Sequence, residues 1–164
     1  MACSTRSRWL RLLALTLLLA VAGSAAGVRV NRPAFLTHLE HVGRKLSVGP
    51  PRWSGREYSG EILLVRGAEL CPNTTSSGNW NGAIVLALDN KCDTVDQAVV
   101  AQGKGALGLL LASSNSSLRA GGDVRIPVEV LPSKEYNAIV ATVNEGIPVH
   151  VSIGRSLNVL RFAV

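Results

Sequence analysis

Residues 82–108 read GAIVLALDNKCDTVDQAVVAQGKGALG: an apolar run, a polar loop with a cysteine, a short amphipathic stretch, and glycines leading into a second apolar run. Ala83–Leu88 and Leu107–Leu111 lack polar alternation, as strands do when both of their faces are covered. Between them Thr94 and Gln97 have the T-x-x-Q spacing of a capping box, and Val95, Ala98, Val99 and Gln102 recur at helical intervals. Gly103 and Gly105 follow where the chain must leave the helix and re-enter a sheet. The stretch is a strand–helix–strand scaffold unit, and nothing in it is catalytic.

Its apolar and glycine positions resemble the protease-associated domain family. Gly82, Ile84, Leu86, Cys92, Ala101, Gly105, Ala106 and Gly108 fall on matching positions, and Ile126-Pro127 supplies the dipeptide that comes later in the family pattern. The departures lie in the loop and on the helix: Asp89-Asn90 replaces the usual Arg-Gly, Thr94 the usual Phe, and Gln97 the usual Lys. The resemblance covers about Glu61 to Ile153. It implies an α/β fold, with a mixed curved sheet or partly closed barrel flanked by two or three helices. Domains of this family occur in sorting receptors, in subtilisin-like and aminopeptidase-type proteases, in membrane-anchored RING ligases and in intramembrane proteases. The resemblance therefore implies a module that binds protein segments or shapes access to an active site.

The 164 residues fit one domain, and 47% hydrophobic against 17% charged residues supply a core. With only 4% aromatic residues, that core must be aliphatic. Residues 1–26 stand apart. Arg6, Arg8 and Arg11 precede the apolar run Leu12–Ala22, and Ser24-Ala25-Ala26 places small residues before Gly27, the pattern of a cleaved secretory leader. The run is short of the ~20 residues that span a bilayer, and no later run is long enough, so no stable membrane insertion is expected after cleavage. Losing three arginines and no acid takes the formal charge from +6 to +3. The remaining basic residues, concentrated between 27 and 66, lack interleaved aromatics or a recognisable module, which argues against nucleic acid. They read as a solvated face.

Two cysteines remain after the leader, Cys71 and Cys92. An even count in an oxidising compartment reads as a disulfide, and closing a loop of this length stabilises by ~3 kcal/mol. Luminal members of the resembled family pair a cysteine ahead of the core strand with one after it. The competing reading is a metal site, for which two thiols lack a convincing set of further ligands. The sequons Asn73-Thr74-Thr75 and Asn115-Ser116-Ser117, each in a polar stretch, point to the same secretory compartment.

In chain order, Val28–Val30 reads as an edge strand. Asn31 caps a helix over Pro33–Lys45 that buries Phe35, Leu36, Leu39 and Val42 and carries His38 and His41 on its surface. Ser47–Gly60 is a connector, with Trp53 and Tyr58 pinning it down, so 27–60 is an N-terminal helix and linker and 61–164 the domain proper. Glu61–Val65 is a strand, and Trp80 packs at the sheet end. Pro127 belongs at a strand start or edge. Ser133 caps a second helix with a Tyr136, Ile139, Val140, Val143 stripe, ended by Gly146. Val149, Val151 and Ile153 alternate with His150 and Ser152 in a half-buried strand, and Asn158–Val164 forms a last strand.

Catalytic signatures are missing from the sequence. It has no G-x-S-x-G, no H-E-x-x-H and no P-loop, and Gly103-Lys104-Gly105 follows a helix where a phosphate loop must open one. Asp89, Asp93 and Asp96 lack calcium-loop spacing, and the last two suit an acidic first helical turn. No cofactor or metal is expected. The reading is a secreted or luminal, non-catalytic module that binds a protein or peptide through the loops Asp89–Asp93 and Ser113–Arg125, with Asp89, Asn90, Lys91, Asp93, Arg119 and Arg125 as candidate contacts. The alternatives are a truncated product of a larger membrane protein, acting as regulator or decoy, and a hydrolase that uses His150 or Cys92.

Overall fold

The computed structural model describes residues 26–41, 44–45, 56–74, 78–88, 91–112 and 123–155. Around the apolar runs, Glu57–Val65 (β4), Ile84–Ala87 (β5), Gly108–Ala112 (β6) and Val128–Leu131 (β7) lie side by side and parallel, with Ile84 opposite Ile62 and Gly108, and Leu109 opposite Val128. All four residues of β5 are buried, the double burial expected of an aliphatic central strand. His150–Arg155 (β8) returns antiparallel along β4, and Ala26–Arg32 (β1) pairs antiparallel with β8. Two-residue strands finish the edges: Glu40–His41 (β2) on β1, and Arg44–Lys45 (β3) on β7. The order is β2-β1-β8-β4-β5-β6-β7-β3 in one eight-stranded sheet.

This order forces curvature. β2 and β3 lie at opposite edges, yet only residues 42 and 43 separate them, and three extended peptide steps reach no more than about 11 Å. The edges must therefore meet, and β1 does contact β3. The sheet is a curled, partly closed barrel. Alternation then sorts its side chains. Val28, Val30, Ile62, Ile84, Leu86, Leu110, Leu131, Val151 and Ile153 share one concave cluster drawn from both halves of the sheet. Val65, Val85, Ala87, Leu109, Leu111 and Val128 face the opposite side.

Each face of the parallel half carries a helix. Thr94–Gly103 (α1) links β5 to β6 and lays Ala98 and Ala101 on the outer cluster; Ser133–Asn144 (α2) links β7 to β8 and adds Ile139 to the concave one. Gly60 is what lets β4 approach β5, because a Cβ there would stand 2.5 Å from the Gly82 carbonyl oxygen. Pro127 sits just before β7, where its missing N–H costs no ladder bond while its carbonyl accepts from Leu109 N–H at 2.8 Å. Cys71 and Cys92 are joined as a disulfide across a Cα–Cα distance of 5.7 Å, which excludes the metal reading of this pair.

Several local expectations are corrected. The helix over Pro33–Lys45 is replaced by a 3-10 turn at Ala34–Leu36, closed by Thr37 Oγ1 donating to the Ala34 carbonyl (2.8 Å), after which pairing with β1 and β7 captures Glu40–His41 and Arg44–Lys45 as strands. Tertiary pairing overrides helical spacing here, and Asn31 lies within β1 and caps nothing. β1 itself is flanked by β2 and β8, so it is not an edge. β4 starts at Glu57, inside the expected connector, because residues 57–61 pair with Gly154–His150; Tyr58 is a half-buried strand residue. Trp53, Val42 and Asn158–Val164 lie outside the described residues.

The α1 cap is Asp93, whose carboxylate accepts from Val95 N–H at 2.8 Å, so the Thr94–Gln97 box does not form. The buried stripe is accordingly Thr94, Gln97, Ala98 and Ala101, and Val99 points out at 43% exposure. Ala98 and Ala101 are buried in the outer cluster, and Val95 and Val100 pack partly buried against it. α2 begins after Pro132 without a side-chain cap, and Ser133 is its first residue. Its stripe and its Gly146 stop (φ 80°) are as the sequence indicates, with Thr142 added, its hydroxyl donating to the Ala138 carbonyl.

Two outcomes follow for stability. Gly105 has φ +86°, and a Cβ there would collide with Asn81 Oδ1, whereas Gly146 at φ +80° faces open space. Gly105→Ala should thus cost about 2–3 kcal/mol in urea unfolding and Gly146→Ala only about 1 kcal/mol; equal costs would contradict the packing at Gly105. Replacing both cysteines, Cys71→Ser with Cys92→Ser, should remove ~3 kcal/mol from the unfolding free energy, and an unchanged urea midpoint would show that the bond does not constrain the chain.

Candidate functional site

In a parallel sheet the loops that follow the strands all leave from one end, and ligands favour that end. β5 leads into residues 88–93 and the adjacent β6 into residues 113–123, so the two loops singled out in the sequence start side by side. Asp89, Asn90, Arg119 and the sequon residue Asn115 lie outside the described residues. Lys91 is exposed beside Cys92. Asp93 is exposed and committed to the α1 N-terminus through Val95 N–H, which places its negative charge at the positive end of the helix.

Three fixtures hold this end. The disulfide ties the start of α1 to the chain that leaves the 3-10 turn Gly67–Leu70 after β4. That turn buries Leu70 in the outer cluster, against which α1 packs. From α2, the Tyr136 hydroxyl lies 3.2 Å from the Ala87 carbonyl and 3.0 Å from that of Leu88, pinning the last turn of backbone before residue 89. Asn73, in the first sequon, is exposed with φ 68° in the turn after Cys71, a left-handed conformation that asparagine tolerates better than most residues. Thr74 Oγ1 donates within that turn, with the Ala68 and Cys71 carbonyls both at 2.8 Å.

Arg125 stands elsewhere. Its backbone N–H donates to Gln102 Oε1 (2.5 Å), and Gln102 Nε2 donates to the Asp123 carbonyl (3.0 Å), so Arg125 sits by the last turn of α1. Its guanidinium is 3.9 Å from the Asp123 carboxylate and largely exposed. A ten-residue helix, roughly 15 Å long, therefore separates Arg125 from Asp93. The structure groups Lys91 and Asp93 and sets Arg125 at the opposite end. Lys104 shares that opposite end, its ammonium 4.7 Å from the centre of the buried Trp80 ring, a cation–π contact at the sheet end where Trp80 was expected to pack.

A third polar region lies on the outward side of β1, β8 and β4. Arg29 reaches Glu57 at 3.3 Å, Asn31 Nδ2 donates to Ser152 Oγ at 2.7 Å, and His150 Nε2 is 3.9 Å from Glu61 Oε2. His150 thus lies on the outer face, as strand alternation indicates. Ser59 Oγ donates to the Val151 carbonyl (3.3 Å), and among the described residues no serine is bonded to the His150 ring. Cys92 is oxidised. Among the described residues no three His, Cys, Asp or Glu side chains are grouped to hold a metal, and no helix is long and apolar enough to cross a membrane.

The contacts missed at the sequence level are long-range. Tyr136 carried only a helical-stripe signal, and Gln102 read as part of α1's stripe; no local pattern announces hydrogen bonds to Leu88 or Arg125. The sequence places Lys104 only in a glycine turn after a helix, and the fold sets Trp80 beneath it.

Solved structures share this architecture. An aminopeptidase from Aneurinibacillus sp. superimposes with a TM-score of 0.61 at 14% identity, covering 81% of this chain and 31% of its own. A peptidase M28 precursor from Shewanella amazonensis gives 0.52 at 17% identity, covering 79% and 33%. BSAP, a zinc aminopeptidase from Bacillus subtilis, gives 0.53 at 13%, covering 80% and 30%. The chain thus spans about a third of each, and at these identities the likeness is one of fold. No curated protein matches the sequence. The family profile described as the PA domain matches residues 47–139, more than half of the sequence and the part that builds β4 to α2. With the curled mixed sheet and its two helices, that match places the chain in the protease-associated (PA) domain family.

Proposed function

We propose that the chain is a secreted or luminal, non-catalytic module that binds a protein or peptide segment at the strand-end face carrying Lys91 and Asp93. The observation that carries this reading is the bracing of that face: the Cys71–Cys92 bond and the Tyr136 hydroxyl hold both ends of the residue 88–92 loop. A loop held at its ends loses less entropy on binding than a free one. A disulfide and the lack of a membrane-crossing helix among the described residues fit the secretory route. Asn73 and Asn115 are proposed as glycan acceptors, Asn73 already exposed in a turn. Arg119 and Asp89-Asn90 complete the proposed contact set, and Arg125, at the far end of α1, is proposed as a separate surface charge.

A second reading has the chain as an accessory domain of a longer protein, regulating access to a partner or acting as a decoy. What favours it is length, since the chain covers only 31% of the aminopeptidase it superimposes on best among those named.

A phage-displayed library of random heptapeptides, selected on the full glycosylated chain, tests the leading reading. Peptides so obtained should lose about tenfold or more in affinity for the triple variant Asp89→Ala, Asn90→Ala, Lys91→Ala and bind Arg125→Ala unchanged. Retention by the triple variant, or selective loss with Arg125→Ala, would move the site away from the strand-end face.

A further inference from the structure

Glu129 stands within β7, in register with Leu110 of β6 on one side and Lys45 of β3 on the other. Lateral partners in a sheet project to one face, so Glu129 shares the concave side with Leu110 and Leu131. It is 1% exposed, and neither carboxylate oxygen has a hydrogen-bond partner. The other buried polar residues among those described, Thr94, Gln97, Thr142 and Ser152, carry no charge.

Among the described residues, ionisable groups around it are few. β6 contributes none, and the concave residues of β1, β4, β5 and β8 are aliphatic. The Ala34–Leu36 turn adds Leu36 and Leu39 to that face, while His38 is exposed. α2, which follows β7 through Pro132, carries Lys134, Glu135 and Tyr136 in its first turn. Lys134 is exposed, Glu135 keeps Oε2 buried without a partner, and Tyr136 bonds the end of β5. β3 consists of Arg44 and Lys45, the latter the in-register partner of Glu129, and β2 of Glu40 and His41, with His41 in register with Val28. A carboxylate buried among aliphatic side chains with neither oxygen hydrogen-bonded loses its hydration, which favours the neutral acid.

We propose that Glu129 makes closure of the sheet proton-dependent: its carboxyl is neutral while β3 stays zipped to β7, and ionisation loosens that edge. Burial raises the group from 4.5 to about 7. Between those values the folded chain holds a proton that the unfolded chain has released. The stabilisation is therefore complete below about 4.5, is lost as the pH rises through this window, and changes little above 7. The device favours the closed sheet in acid, the reverse of ordinary acid unfolding, and suits a chain that works in an acidified compartment.

The full chain and its Glu129→Gln variant, unfolded in urea at pH 5 and pH 8, test this. The ratio of folding constants, wild type over variant, should fall roughly 50- to 100-fold from pH 5 to pH 8; a constant ratio overturns the proposal. If the variant does not fold, a carbon-13 titration of the wild-type Glu129 carboxyl decides, supporting the proposal near pH 7 and overturning it at or below the ordinary glutamate value. Amide exchange corrected for intrinsic rates locates the effect. Protection lost first in β3 and β7 at pH 8 supports it, and loss shared equally with β5 overturns the assignment to this edge.

Discussion

Two residues of chain between strands on opposite edges of one sheet are the constraint that everything else obeys. Residues 41 and 44 pair with β1 and β7 respectively, and the sheet between those strands has no choice but to curl until the edges meet. Curling divides its surface into a concave side, filled by aliphatic residues from both halves, and an outer side. An open, flat sheet of these strands would leave Val28, Val30 and Val151 without the aliphatic partners that Ile84, Leu86 and Leu110 supply. Hydrophobic burial and chain connectivity thus demand the same shape.

From that shape the two helices acquire different work. α1 lies outside and spans the sheet from the disulfide end to the Trp80–Lys104 end, acting as a spacer that keeps two groups of polar residues apart. α2 covers the concave side and sends Tyr136 to the backbone just ahead of residue 89. The strand-end face proposed for binding is accordingly braced from both sides of the sheet. Specificity in such a module comes from loop sequence on an unchanging frame.

The central unit was legible because its signals are local. Aliphatic runs marked β5 and β6, a glycine marked the end of α2, and cysteine parity marked the disulfide. The N-terminal region misled because its evidence was of the same local kind: Leu36 and Leu39 are buried, but on and just after a 3-10 turn, and strand pairing across the sheet decides what Glu40–His41 and Arg44–Lys45 become. Gly60 read as linker punctuation for a similar reason, since its requirement is set by Gly82, remote in sequence. The candidate site was legible to the extent that loops follow strands. Which end of α1 receives Arg125 depends on where the chain re-enters β7, and no spacing rule encodes that. Glu129 was hidden in an otherwise ordinary strand, because burial of an acid is visible only once Leu110 and β3 flank it.

Closure of the sheet is therefore the claim on which the account rests, and amide–amide nuclear Overhauser contacts in a nitrogen-15-labelled sample test it most directly. The account predicts cross-strand contacts linking Arg44 with Val130 and Glu40 with Arg29 in the same folded species. If β4 to β7 give their full set of contacts while either of those pairs gives none, the sheet is open and the account is wrong.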